Sequence, residues 1–293
     1  MKNFYKIGLS KTYLGVAIAL FLSLAIAKIT IDSISFKIPI FGFHSIFDRT
    51  NPEKLPSRAS YLDYPVQDLE QVLKYLIQEE YWFLSSQDLY DYFLVKTKTI
   101  PQQHIGKRPV MLTFDDGYEN IHAFVLPLLE KLAKQYNLKI PIVLFLNPAF
   151  MEREISNRKD KYLNCDQVKD GFKKGFYDVQ SAGVNHTHLT KLEISELEHE
   201  LLESQRKLQE CIAEPTLNTT VSLHFAYPYN RVNRRVKFYT SQYYQSGYLY
   251  NDEIYKLNFW QNHYKISRLA VFRNDSPQKL IDRARQASKI TSQ

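Results

Sequence analysis

The sequence has few cysteines, glycines and prolines, and each scarcity excludes a class of protein. The 293 residues include two cysteines, nine glycines and twelve prolines. Cys165 and Cys211 lack C-x-x-C spacing, which excludes a zinc ribbon and a small disulfide-dense fold. So few glycines and prolines exclude collagen-like and low-complexity chains. Whether the two cysteines pair with each other is left open by the sequence.

The net charge is modest and spread along the chain. Charged residues make up 24% and apolar residues 44% of the sequence, and the formal net charge is +7. An apolar fraction this high is typical of a folded protein rather than a disordered one. Nucleic-acid binding needs a dense basic stripe, whereas the basic runs at 158–161 and 231–237 are short and interrupted. We therefore expect no nucleic-acid partner, and the sequence indicates no oligomeric state.

The first 30 residues have the pattern of an export segment. Lysines precede the uncharged apolar stretch 12–27, and Ala25 and Ala27 offer a small-x-small cleavage site. The stretch is shorter than the roughly 20 residues that cross a bilayer, although an uncleaved anchor and a buried core helix are alternatives. We predict a signal peptide or membrane anchor over 1–30 and a catalytic domain over 31–293. The protein would then act outside the cytoplasm, secreted or attached to the membrane.

Strands and helices alternate along the rest of the chain. Short apolar runs predict buried strands, and apolar residues spaced three and four apart predict amphipathic helices. The predicted strands are 37–44, 81–84, 109–114, 140–146, 177–181 and 221–226. The predicted helices are 65–79, 86–95 with Ser86 as N-cap, 119–136 with a kink at Pro127, 165–174, 193–212 and 277–287. This alternation indicates a parallel sheet, either doubly wound or closed into a barrel.

Asp115 and Asp116 follow the strand predicted at 109–114, in the sequence Thr-Phe-Asp-Asp-Gly. In α/β folds, chemistry concentrates at the carboxyl ends of the strands. Two adjacent carboxylates repel, and burying both requires a cation or a raised pKa in one of them. One aspartate could therefore bind a metal ion while the other acts as a base. An Asp-Gly turn that merely ends the strand is the alternative.

Two further strand ends carry polar or aromatic clusters. His186 and His188 follow the strand at 177–181, and we expect His186 to bind a metal and leave His188 unassigned. Both histidines could instead lie in a solvated loop. In the third cluster, Pro228 separates two tyrosines that could form the wall of a groove. Ordinary aromatic packing is the alternative there.

Together, these clusters give the chain its resemblance to the polysaccharide deacetylases of the NodB-homology group, carbohydrate esterase family 4. The segment 113–117 matches the family's T-F-D-D-G, and 225–229 matches its F-x-Y-P-Y. Residues 189–192 match the stretch after the family's histidine motif, and 266–269 resemble its last strand. His44 lies where the biofilm-polymer branch carries a histidine near its groove. The chain looks closest to exported poly-N-acetylglucosamine deacetylases.

The resemblance implies a single distorted (β/α) barrel that removes N-acetyl groups from an N-acetylglucosamine-containing polysaccharide. Asp116 and His186 would bind a divalent metal, with zinc as the first choice, and Asp115 would be the general base. The backbone N–H of Tyr229 would stabilise the oxyanion, with Tyr227 and Pro228 shaping the sugar groove beside His44. The family's Leu-x-His acid is not found, and His263, the only late histidine, is assigned to that role.

One position departs from the family pattern. The family's second motif carries two histidines, and Ala182 occupies the place of the first. One of three implied metal ligands is therefore absent, so we expect weakened or lost activity. A catalytically inert protein that binds glycan is the alternative prediction.

Overall fold

The structure is a computed structural model that describes residues 16–21, 35–51, 60–151, 161–212, 220–258 and 262–291. Residues 16–21 form an exposed helical segment, and the other residues of the export segment predicted over 1–30, including its cleavage site, lie outside the described residues. In these ranges no helix combines the length and the apolar character needed to span a bilayer. The boundary between export segment and catalytic domain stays a prediction.

The strands are short and spread over the whole chain. In chain order they are β1 (Phe36–Ile38), β2 (Ile40–Phe43), β3 (Ile46–Phe47), β4 (Tyr64–Pro65), β5 (Trp82–Phe83), β6 (Pro109–Asp115), β7 (Ile142–Leu146), β8 (Tyr177–Ser181), β9 (His224–Ala226), β10 (Ser246–Tyr250), β11 (Tyr255–Leu257) and β12 (Ile266–Ala270). The helices are α1 (Val66–Gln78), α2 (Ser86–Asp88), α3 (Leu126–Tyr136), α4 (Pro148–Met151), α5 (Cys165–Lys173), α6 (Ile194–Ile212), α7 (Arg234–Tyr243) and α8 (Pro277–Ala284).

The described residues contain a closed barrel of seven parallel strands. Its order is β2, β12, β10, β9, β8, β7 and β6, and β6 closes the circle by pairing with β2. Every residue of β6 and β7 is buried, because their apolar side chains face either the barrel interior or the surrounding helices. The barrel, one of the two arrangements left open by the sequence, is confirmed.

Helices cover the outside of the barrel, and the sequence predicts most of them to within a few residues. The helix predicted over 119–136 differs, since the wide helical turn Ile121–Val125 precedes α3. Pro127 follows this wide turn, within a run that is helical from residue 119 to residue 136. A disulfide between Cys165 and Cys211 joins α5 to α6. The sequence did not predict α7, β10 or β11.

The N-cap assigned to Ser86 is wrong by one residue. Ser85 caps α2, because its hydroxyl accepts the Asp88 N–H at 3.0 Å and the Asp88 carboxylate accepts the Ser85 N–H at 3.0 Å. Ser86 instead donates its N–H and its hydroxyl to the Asp178 carboxylate, each at 2.6 Å. Two adjacent serines compete for the cap, and the second is bound to the start of β8.

Candidate active site

The carboxyl ends of the barrel strands surround a cavity of about 540 Å³. Residues from all three predicted clusters line it, together with the histidine at the end of β2. They are His44, Asp115, Asp116, Ala182, His186, His188, Tyr227, Pro228 and Tyr229. The structure therefore brings together the predicted site residues, with the exception of His263.

Asp115 ends β6 and forms a buried ion pair with Arg268 of β12. The Arg268 Nη1 atom donates to Asp115 Oδ1 at 2.6 Å, and Nη2 donates to Oδ2 at 2.8 Å. Nη1 also donates to the Thr113 hydroxyl at 3.0 Å. This bidentate contact fixes the plane of the carboxylate and compensates its charge. Each oxygen keeps a second lone pair, which can accept a proton.

Two aromatic rings pack against the guanidinium group of Arg268. Its guanidinium carbon lies 4.0 Å from the centroid of the Tyr250 ring and 5.0 Å from that of Phe145. Tyr250 in turn packs directly on Gly42, where any side chain would overlap the tyrosine ring. The sequence analysis gave Arg268 no role. A signal was present, because an arginine in the middle of an apolar strand requires a buried anionic partner.

The side chains of Asp116 and His186 lie next to each other in the cavity lining. Asp116 Oδ1 lies 3.4 Å from His186 Nε2. Burial raises the pKa of Asp116 to about 6, with His44 opposing this shift and the charge of Asp115 adding to it. Burial also lowers the pKa of His186. Both shifts favour the uncharged forms of the two side chains, and a bound cation would oppose the shift at Asp116 by stabilising its ionised form.

The loop that carries His186 is fixed by a buried glutamate. Glu200 of α6 accepts the backbone N–H of Val184 at 2.8 Å and that of Asn185 at 3.0 Å. It also accepts the Asn185 side-chain amide at 2.7 Å. The backbone of His186 is left-handed, with φ at 51°, and the preceding residues must be held firmly to maintain this turn. Glu200 is therefore a positioning residue for His186.

Tyr229 and its neighbours form the aromatic side of the cavity. The Tyr229 ring stacks on His188 with centroids 4.0 Å apart and lies 4.4 Å from His186. Tyr227 is buried, and its hydroxyl donates to the Tyr264 carbonyl at 3.1 Å. His44 stacks on the ring of Tyr250, and its Nδ1 atom is buried without a hydrogen-bond partner among the described residues. Tyr229 is therefore the exposed aromatic surface of this cluster.

Two other histidines lie at the opposite end of the barrel. The His263 carbonyl accepts the N–H of Gly247, near the start of β10, at 2.8 Å. Since the cavity surrounds the ends of the strands, the structure does not bring His263 to it. His224 begins β9, where its ring nitrogens contact Ser246 at 2.7 Å and Gln87 at 3.2 Å. Burial lowers the pKa of His224 to about 3, so it is a neutral core residue.

A family profile covers the part of the chain that carries Asp115, Asp116, His186 and Tyr229. Residues 102–246 match the sequence profile of the family described as Polysaccharide deacetylase. Over these residues the chain is similar to the polysaccharide deacetylases. No curated protein sequence matches the chain.

Several solved structures share the fold. A polysaccharide deacetylase from Bacillus cereus is 20% identical with a TM-score of 0.69, over 85% of this chain and 69% of that one. The deacetylase PplD of Streptococcus pyogenes is 22% identical with a TM-score of 0.68, over 85% of this chain and 98% of that one. IcaB from Ammonifex degensii is 18% identical with a TM-score of 0.63, over 85% of this chain and 97% of that one. At these identities the likenesses show the fold of a polysaccharide deacetylase.

Polysaccharide deacetylases are generally metal-dependent, and the residues of this cavity fit a metal ion in part. Two atoms bound to one tetrahedral zinc ion at about 2.1 Å lie roughly 3.4 Å apart. That is the observed separation of Asp116 Oδ1 and His186 Nε2. Ala182 is buried and offers no donor atom. Among the described residues, no group of three or more His, Cys, Asp or Glu side chains is arranged to hold a metal. The site therefore fits an ion held by two protein ligands.

Proposed function

We propose that this chain hydrolyses N-acetyl groups from an N-acetylglucosamine-containing polysaccharide. The observation that carries the proposal is the convergence of Asp115, Asp116 and His186 in one cavity. Asp116 lies 3.4 Å from His186, and Asp115 is oriented by Arg268. The match of residues 102–246 to the polysaccharide deacetylases supports hydrolysis of an acetylated glycan.

Asp115 is the residue placed to move the proton. As a water oxygen attacks the acetyl carbon, Asp115 accepts a proton from that water through the lone pair not used by Arg268. When the C–N bond breaks, the proton passes from Asp115 to the departing nitrogen, which leaves as a free amine, and the acetic acid formed then loses its remaining proton to solvent and is released as acetate. General-base assistance of this kind contributes about 10²–10⁴-fold to the rate. This route uses one carboxylate for both transfers and needs no contribution from His263.

Asp116 and His186 would hold the divalent metal, and zinc is the ion that we expect. Such an ion supplies a Lewis acid that polarises the acetyl carbonyl. The Tyr229 backbone N–H would donate to the carbonyl oxygen as it gains negative charge. Tyr227 and Pro228 would form the wall that holds the sugar.

Ala182 weakens this site, because a nitrogen ligand is replaced by a buried methyl group. Loss of a residue that only supports a metal ligand costs about 10–100-fold in affinity or activity, and loss of the ligand itself should cost more. This observation favours a second candidate function, a deacetylase-like protein that binds glycan without turnover. The two candidates share the substrate and differ in whether acetate is released.

We also propose that the protein works outside the cytoplasm, secreted or attached to the membrane through residues 1–30. Disulfides persist in oxidising compartments and are rare in the cytosol. The Cys165–Cys211 disulfide between α5 and α6 supports this location.

The deciding experiment measures acetate released from β-1,4- and β-1,6-linked N-acetylglucosamine oligomers by zinc-loaded protein. We expect slow release by the wild type, none by Asp115→Asn and at least about tenfold faster release by Ala182→His. Ala226→His is the matched control, because Ala226 lines the same cavity on the neighbouring strand β9. If folded wild type and Ala182→His both release no acetate, hydrolysis is excluded and glycan binding remains. An equal gain in Ala226→His would show that the new histidine does not act as the missing ligand.

A further inference from the structure

Two stacked aromatic pairs stand at the mouth of the cavity. The first is Tyr229 on His188, with ring centroids 4.0 Å apart. The second is Tyr61 with Phe272, whose centroids are 6.0 Å apart and whose planes differ by 28°. All four residues line the cavity. Tyr61 is 70% exposed and Tyr229 is 51% exposed, so each pair presents one tyrosine to solvent.

The barrel topology separates the two pairs. Phe272 follows β12, whereas Tyr229 follows β9, and β10 lies between these strands. Two strand spacings of about 4.8 Å place the ends of β12 and β9 roughly 10 Å apart around the barrel. Asp115 ends β6, which adjoins β2 on the far side of β12. The reacting carboxylate therefore does not lie between the pairs along this arc, and both surround the same opening.

Tyr61 is held in position by its backbone rather than by burial of its ring. Its carbonyl accepts the Arg273 N–H at 2.8 Å. Asp63, two residues after Tyr61, is 3% exposed. Its carboxylate accepts hydrogen bonds from Arg273 Nη1 at 3.1 Å and from the Ser60 N–H at 2.7 Å. These contacts fix the turn that carries Tyr61. An anchored aromatic ring that stays largely in water is an arrangement suited to binding, since it loses little conformational freedom when a ligand stacks on it.

We propose that Tyr61, backed by Phe272, is a second sugar-stacking surface of the cavity, in addition to Tyr229. The inference rests on the proposed function, which supplies the glycan as ligand. The C–H face of a pyranose ring is apolar and packs well on an aromatic ring, while its hydroxyl groups stay hydrated. Tyr229 would contact one sugar of the glycan and Tyr61 another, so loss of the Tyr61 ring should affect oligomers and not the single sugar.

The test measures binding of N-acetylglucosamine and its oligomers, from monosaccharide to hexasaccharide, by titration calorimetry. Binding does not require turnover, so the result is independent of Ala182. We expect affinity to increase with oligomer length in the wild type. Tyr61→Ala should weaken binding of the longest oligomer roughly tenfold and leave the monosaccharide unchanged. Tyr61→Phe should bind like the wild type, because it keeps the ring.

Phe238→Ala is the matched control. Phe238 is 58% exposed on α7 and does not line the cavity, so its removal should not affect binding at any length. The inference is overturned if Tyr61→Ala binds all oligomers as the wild type does, or if Phe238→Ala causes the same loss. Failure of the wild type to bind any oligomer would overturn both this inference and the proposed glycan substrate. Oligomer binding that is unaffected by Tyr61→Ala overturns only the inference.

Discussion

Replacing Arg268 by methionine should destabilise the protein strongly. The change removes the guanidinium and keeps a flexible side chain of similar length in the same space. Asp115 would lose both of its charge-assisted hydrogen bonds, and Thr113 would lose one. The Arg268 side chain is 1% exposed and that of Asp115 is 10% exposed, so water has little access to the carboxylate.

The expected magnitude follows from this burial. Removing one member of a buried ion pair costs about 3–5 kcal/mol, because the other charge is left uncompensated. An exposed pair costs about 0–1 kcal/mol. Arg206 on α6 provides that comparison, because it is 53% exposed and pairs with Glu203 and Glu210. Arg206→Met should therefore lower the free energy of unfolding by less than about 1 kcal/mol.

The assay is urea unfolding monitored by circular dichroism. A double-mutant cycle compares the wild type with Arg268→Met, Asp115→Asn and the double variant Arg268→Met/Asp115→Asn. The double variant has no unpaired carboxylate, so it should be more stable than the sum of the two single changes predicts, by about 2 kcal/mol or more. The buried ion pair would be refuted as the element that fixes Asp115 if Arg268→Met lowers the free energy of unfolding by less than about 1 kcal/mol. It would also be refuted if the effects of the two single changes add up to that of the double variant.

Three further predictions concern pH, the His186 loop and the disulfide. Burial raises the folded-state pKa of Asp116 to about 6, so in metal-free protein its contribution to stability is full below about pH 4 and is lost as the pH rises through 6. Asp116→Asn should lack this loss and be about 1–3 kcal/mol more stable at pH 7 in urea unfolding. Glu200→Gln should speed amide exchange at Val184 with a loss of about 1–3 kcal/mol. Cys165→Ser/Cys211→Ser should lower stability by about 2–4 kcal/mol.

Each of these three has an outcome that would contradict it. Identical pH dependence of wild type and Asp116→Asn would show that this carboxyl does not titrate differently on folding. Unchanged exchange at Val184 in Glu200→Gln would show that the loop is held by other contacts. For the disulfide, equal unfolding midpoints for wild type with and without reductant would show that the bond does not form or does not stabilise.

Features encoded by short-range pattern could be predicted from the sequence. The continuous apolar runs within β6 and β7 are buried on every residue, so their strands were clear. The placement of polar residues directly after strands also indicated which side chains would meet. Asp115, Asp116 and His186 do line one cavity, because parallel strands end at the same edge of the barrel.

The parts that could not be predicted depend on long-range contacts or on weak patterns. Arg268 and Asp115 are 153 positions apart, so an arginine within an apolar strand indicates a buried anionic partner but does not identify Asp115 as that partner. Helix α7 buries only Val236 and Thr240 fully, which leaves no apolar period to detect. His263 was assigned by elimination from its residue type, and the register of β10 places its carbonyl at the other end of the barrel.

The most direct test of the central claim is a calorimetric titration of zinc into metal-free wild type, Asp116→Asn and Ala182→His. We predict one ion per chain in the wild type, binding weakened at least about tenfold in Asp116→Asn, and tighter binding in Ala182→His. Wild-type protein that binds no zinc, or binds it as well after Asp116→Asn as before, would contradict the assignment of Asp116 and His186 as a metal-binding pair.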